Sequence, residues 1–206
     1  MKNKIIILVI FAVILIILAG FYFLKQDKST SDLPINIKDD AEKNNQTDNE
    51  QLQKKLVTDD FEITLPVGWE QTTPAIGTSA MAVNENEKLD DPAAQKINFK
   101  SYFAISYDTL QKKSLSEYLQ NIKNTLLQTI SNVVFTNEQD IIIDNKPARA
   151  VEAELTQQGV DFKILMVVIA GQHEDVWVIS FNTTKSSWDG YKEIFSNITK
   201  SFSLKK

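Results

Sequence analysis

Three textures of hydrophobic and polar positions follow one another along this chain. Ile5 to Leu24 is apolar without a break, 25 to about 56 is polar with few apolar residues, and 57–206 carries alternating and helical apolar patterns. At 1.5 Å per residue the first segment makes a helix about 30 Å long, which matches the hydrocarbon core of a bilayer. It exceeds the apolar core of roughly 7–15 residues expected in a cleaved signal peptide. Bulky Phe21, Tyr22 and Phe23 follow Ala19-Gly20, where a cleavage site wants small residues. The segment therefore reads as an uncleaved transmembrane signal anchor, with a cleaved signal as the alternative. Lys2 and Lys4 before it nearly balance Lys25 and Lys28 after it, so the positive-inside count discriminates little. A four-residue head is left behind more easily than a large domain. The expectation is a single-pass cell-membrane protein whose C-terminal domain is extracytoplasmic.

Residues 25–56 are dominated by Asp, Asn, Lys, Gln, Ser and Thr. Such a stretch buries too little apolar surface to offset its ordering entropy. It is expected to be a flexible polar linker, with a short helix inside 48–56 as the alternative.

The domain over 57–206 is long enough for a real core. Phe61–Leu65 alternates apolar and polar with the period of a half-buried strand, and Pro66-Val67-Gly68-Trp69 ends it. Ala80–Asn84 is a short strand, and Glu85–Gln95, acidic and interrupted by Pro92, is a loop. Ile97–Tyr107 alternates again, with Phe99, Phe103 and Ile105 on the buried face. Ser114-Leu115-Ser116-Glu117 is a capping box. It opens a helix reaching Asn132, with an inner stripe of Leu115, Tyr118 or Leu119, Ile122, Leu126 and Ile130. Val133–Asp140 leads into Ile141–Ile143. Asp144–Pro147 then turns the chain into Arg149–Thr156, where Val151, Ala153 and Leu155 face away from Glu152 and Glu154. Gln157-Gln158-Gly159 leads to Phe162–Ala170, apolar almost throughout and so central in a sheet. After Gly171–Asp175 comes Val176–Asn182. A last helix from Ser186 or Ser187 buries Trp188, Tyr191, Ile194, Phe195, Ile198 and Phe202. Turns this short demand antiparallel pairing. The predicted class is α+β: a mainly antiparallel sheet of about six to seven strands flanked by two amphipathic helices, preceded by one transmembrane helix.

Charge narrows the chemistry. Residues 57–206 hold 14 Lys and Arg against 20 Asp and Glu, a net of −6, and Arg149 is the only arginine in the chain. Nucleic-acid binding, which needs clustered cations, is excluded, and an acidic surface is repelled by anionic lipid. Without cysteine there is no thiol nucleophile. His173, the sole histidine, lies in a turn with Glu174 and Asp175 and reads as solvated. Gly77-Thr78-Ser79 lacks the second glycine of a nucleophile elbow. Asn84-Glu85-Asn86-Glu87 with Asp90-Asp91 could hold calcium, yet lacks the glycine and terminal Glu of an EF-hand loop, so a solvated charged loop is the expectation. Trp69, Trp177 and Trp188 are read as core rather than as a ligand pocket. No catalytic, cofactor-binding or metal residue is assigned, and no cofactor is expected.

The stretch Phe61-Glu62-Ile63-Thr64-Leu65-Pro66-Val67-Gly68-Trp69 resembles the opening of PsbP-like and DcrB-like domains, a strand followed by P-x-G-W. The Ser114-led helix, the turn Asp144-Asn145-Lys146-Pro147-Ala148 in place of an N-G-x-P-A turn, and the closing Phe195-x-x-Ile198-x-x-Ser201-Phe202 are similar too. Asn145-Lys146 departs from the usual Asn-Gly. The resemblance spans about 58–204 and implies an antiparallel sheet flanked by helices in a non-enzymatic binding or assembly factor. No functional residue of the photosynthetic members has a match in this sequence. The expected function is a membrane-tethered domain, held through 5–24, that binds a protein partner. The alternative is a small-molecule or metal-binding receptor, or an enzyme using carboxylates and aromatics only.

Overall fold

The computed structural model describes residues 54–205. The expected anchor over 5–24, and the linker over 25–56 up to residue 53, lie outside the described residues. No helix among the described residues is long and apolar enough to cross a membrane.

Two hairpin turns organise the sheet. Between strands β6 (Val134–Ile143) and β7 (Lys146–Gln157) only Asp144 and Asn145 intervene, with φ of 50° and 57°. Two consecutive left-handed residues make the turn whose twist suits a tight hairpin, and Asp and Asn tolerate that conformation. Gln158 and Gly159, with φ of 53° and 80°, repeat it before β8 (Val160–Ala170). β9 (Asp175–Thr184) completes an antiparallel meander. The earlier strands β3 (Trp69–Thr72), β4 (Ala80–Asn84) and β5 (Tyr102–Thr109) add to the other side of β9, giving the order β3-β4-β5-β9-β8-β7-β6. The apolar strand β8 is interior as expected, and β9 is the middle strand.

The two faces are covered differently. On one, helix α2 (Leu115–Thr129) and the short α1 (Pro92–Lys96) lie over Val151, Ala153, Phe162, Ile164, Met166 and Val178. On the other, α3 (Trp188–Lys200) packs Tyr191, Phe195 and Ile198 against Phe103, Phe181 and Trp69. A second sheet shares that face: β1 (Lys54–Val57), β2 (Phe61–Leu65) and β10 (Ser203–Leu204), with β2 in the middle. Gly68, at φ 86°, closes the turn after Pro66, where the Trp69 amide donates to the Pro66 carbonyl at 3.1 Å. This delivers Trp69 inward, 2% exposed, stacked on Phe103.

The α+β class and antiparallel pairing are as expected, and four details differ. Phe61–Leu65 belongs to the small sheet rather than the large one. β1 begins at Lys54, three residues before the expected domain boundary, because Leu56 is fully buried. The segment read as the loop Glu85–Gln95 contains the start of α1, nucleated by Asp91, whose carboxylate accepts from the Ala93 and Ala94 amides, and by Pro92 in the first turn. Phe99 precedes β5 and packs on the α2 side, while Phe103 and Ile105 face α3.

Candidate functional site

Most of the residues with candidate chemistry have structural work. His173 sits at φ 53° in the β8–β9 turn and is exposed. Thr78 closes a turn onto the Ala75 carbonyl. In the acidic loop, Glu85 pairs with Lys100, and Glu87 accepts from the Ser101 amide and, at 2.7 Å, from its hydroxyl. Asn84 donates to the Tyr191 hydroxyl at 2.8 Å. These side chains line or adjoin a cavity of about 690 Å³ bounded by Glu87, Gln95, Asn98 and Phe99, but their polar atoms are turned to holding the loop. The three tryptophans lie in the α3-side core: Trp69 and Trp188 flank Phe195, and Trp177 meets Phe61 edge-on at 5.2 Å.

The carboxylates with clearly altered acidity among the described residues are all more acidic than usual. Hydrogen bonds from Ser114 lower Glu117, that from Lys123 lowers Glu138, and that from Lys185 lowers Glu154. The raised groups are tyrosines and Lys163, which Glu152 and Glu154 hold protonated. Burial pushes Tyr102 and Tyr118 well above the ordinary phenol range, Tyr118 also donating to Asp108 at 2.8 Å, and burial pushes Tyr191 up to about 12.

An apolar groove of about 740 Å³ is the more distinctive feature. It lies between the N-terminus of α2 and the tip of the β6–β7 hairpin, lined by Leu115, Ile142, Pro147, Ala148 and Ala170 among others. The walls are fixed by one local device and two long-range hydrogen bonds. The capping box holds the helix start, with the Ser114 amide donating to Glu117 at 2.8 Å and the Glu117 amide to Ser114 Oγ at 3.2 Å. The Leu110 amide donates to the Glu174 carbonyl at 2.7 Å, joining the loop before α2 to the β8–β9 turn. The hairpin tip is held by Asp144, which accepts from the Leu204 amide at 3.0 Å. Arg149 of β7 lies 3.1 Å from Glu138 and 2.9 Å from Asp140 and so is held against β6.

Ile142 is 75% exposed beside this groove. It lies on β6, the last strand of the large sheet, whose outer edge pairs with no strand among the described residues. Farther along, the edge is interrupted by a register shift between Thr136 and Gln139, with Asn137 at φ 51°, and by the charge of Glu138. Such devices discourage edge pairing. The Asp140–Ile143 end carries no bulge. The sequence pattern assigns Ile141–Ile143 to a strand without assigning it a surface. The available signal is three successive isoleucines, which in a strand must leave apolar side chains on both faces.

No family model matches the chain, and no curated protein does. Solved structures show the fold. The cyanobacterial PsbP (CyanoP) of Synechocystis is 12% identical, with a TM-score of 0.54 over 78% of this chain and 98% of that one. LpqN of Mycobacterium tuberculosis, involved in cell envelope biogenesis, is 10% identical, with a TM-score of 0.54 over 77% and 88%. The Ran-binding protein Mog1p of Saccharomyces cerevisiae is 16% identical, with a TM-score of 0.50 over 74% and 95%. The domain is thus an α+β sandwich with the PsbP-like fold. At these identities the likeness speaks for architecture alone.

Proposed function

We propose that this chain is a membrane-tethered, extracytoplasmic binding or assembly factor, non-enzymatic, that holds a protein partner in the groove between α2 and the β6–β7 hairpin. The observation that carries the reading is the apolar wall of exposed Ile142 and Pro147 with half-buried Leu115, beside a strand end unpaired among the described residues. An extended segment meets both needs of such a place: it presents apolar side chains to a groove and main-chain groups to an open edge. Carboxylates held low, as Glu117, Glu138 and Glu154 are, stay charged at neutral pH, the reverse of what a general acid requires. Proteins with this fold include a Ran-binding protein and one of cell envelope biogenesis, roles that fit a scaffold for partners. The finer resemblance to DcrB-like envelope proteins accords with it. The tether is the apolar run 5–24.

The test places a photo-crosslinking residue at Ile142, and separately at Ile76, in the full chain in native membranes. Ile76 is 80% exposed in the β3–β4 connection and serves as the control. A specific protein captured from position 142 and not from 76 supports the reading. Equal background at both positions, with a metabolite co-purifying instead, overturns it.

A further inference from the structure

One row across the large sheet carries two polar side chains in an otherwise apolar line. Val83, Tyr102, Asn182, Ile164 and Ala153 stand opposite one another in register on β4, β5, β9, β8 and β7, so their side chains share a face. Tyr102 is 4% exposed and Asn182 1%. The Asn182 side-chain nitrogen donates to the Ser180 carbonyl at 3.3 Å and to the Ser180 hydroxyl at 3.2 Å. That fixes which way the carboxamide points and leaves Oδ1 on its other edge. Neither Asn182 Oδ1 nor the Tyr102 hydroxyl has a partner among the described residues. A buried polar atom without a partner is a net cost to folding, and phenylalanine and leucine would fill the same row without it.

The two orphaned atoms are complementary, since a phenol O–H donates and an amide oxygen accepts. Burial pushes the Tyr102 hydroxyl well above the ordinary phenol range, so it keeps the proton it has to give. Around it lies an apolar setting. Tyr102 and Ala104 form a small cluster apart from the two main cores, bordered by half-buried Met81, Val83 and Phe99. Phe99 also lines the cavity of about 690 Å³, together with Leu89. Its ring meets Tyr102 at 6.1 Å and Phe162 at 4.9 Å, both edge-on. Phe99 belongs to no helix or strand, so its ring can turn without breaking a ladder hydrogen bond. A charged guest is disfavoured at the orphaned pair, because burying an ion beside neutral groups alone is costly.

We propose that a small neutral molecule binds here, its amide or hydroxyl group accepting from Tyr102 and donating to Asn182, with a short apolar body against Phe99 and Leu89. The Phe99 ring, common to the cavity and to Tyr102, turns aside to admit it. This is a binding site in which no bond is made or broken. It shares no lining residue with the groove between α2 and the β6–β7 hairpin, and it stands whether or not that groove holds a protein.

Methionine supplies the reporter. The chain has three, Met1, Met81 and Met166. Met81 borders Tyr102, Met166 pairs with Ser180, and Met1, outside the described residues, is the reference. The full chain, isotope-labelled at its methionine methyl groups, is titrated in detergent micelles with benzamide, benzyl alcohol and, as the charged control, benzoate, and followed by NMR. Benzamide or benzyl alcohol is expected to move the Met81 signal to saturation while Met1 stays. Benzoate is expected to bind at least roughly tenfold more weakly. Tyr102→Phe, which keeps the ring and removes the donor, is expected to weaken binding roughly fivefold to tenfold; separate, unbroadened Met81 and Met166 signals confirm that the variant folds. Saturation by benzamide alone supports the site as one for amides, and saturation by benzyl alcohol alone as one for hydroxyls. No saturable shift at Met81 with either probe overturns the proposal. So do equal binding of benzoate, an unchanged affinity in Tyr102→Phe, and shifts in which Met1 takes an equal part.

Discussion

Replacing Phe195 with alanine removes the side chain that fastens α3 to the sheet. The ring is fully buried, with centroids 4.8 Å from Phe181, 5.3 Å from Tyr191, 6.1 Å from Trp188 and 6.3 Å from Trp69. Alanine is the best helix former, so the substitution leaves the local backbone content and reports packing alone. Large-to-small aromatic changes in cores cost about 3–5 kcal/mol. Loss of several aromatic contacts at once, each worth about 0.5–1.5 kcal/mol, places this site near the middle, about 4 kcal/mol. With about 150 residues unfolding at roughly 2.1 cal/mol/K each, that corresponds to a fall in Tm of about 12 °C. Urea denaturation followed by tryptophan fluorescence reads it directly, since Trp69 and Trp188 border the site. The midpoint should drop with the slope unchanged, and Phe195→Leu should lose only about 1 kcal/mol. A loss below about 1 kcal/mol for Phe195→Ala would refute the packing of α3 onto β9 described above.

Two further outcomes are expected. Alkali should weaken the fold: Tyr102, Tyr118 and Tyr191 keep their protons well above pH 10 in the folded state, whereas unfolded tyrosine ionises near 10. Their contribution is complete below about pH 10 and is lost as pH rises toward 12, by about 1.4 kcal/mol per pH unit for each tyrosine; a urea midpoint that stays flat between pH 8 and 11 would contradict this. A chain starting at Val57 lacks Leu56, which is fully buried, and should be at least about 2 kcal/mol less stable than one starting at Lys54, as differential scanning calorimetry of the two would show.

Local rules carried the long C-terminal meander. Alternation marked β7, the capping box marked the start of α2 although the helix ends at Thr129 rather than Asn132, and Asp144-Asn145 and Gln158-Gly159 marked the hairpins, because each signal is written within a few positions. What escaped was written elsewhere in the chain. β1 shows a single buried residue, Leu56, in Lys-Lys-Leu-Val, and β3 shows only Trp69 in Trp-Glu-Gln-Thr. Neither pattern announces a strand without its partners. That Phe61–Leu65 leaves the large sheet depends on β10, which lies about 140 residues later. The groove escaped for a related reason. Leu115 looks like part of a helix stripe and Ile142 like part of a strand, and only the tertiary arrangement makes half-buried Leu115 and exposed Ile142 walls of one groove.

The small sheet has a mechanical consequence. β1 and β10 both run antiparallel to β2, with Lys54 beside Leu65 at one end and Leu204 beside Phe61 at the other. Pulling on the two ends of the domain therefore slides the outer strands along β2 in opposite directions, loading the backbone bonds together instead of peeling them one by one. A body hung by its N-terminal side and tugged at its C-terminus would yield in shear, the loading geometry that resists force best.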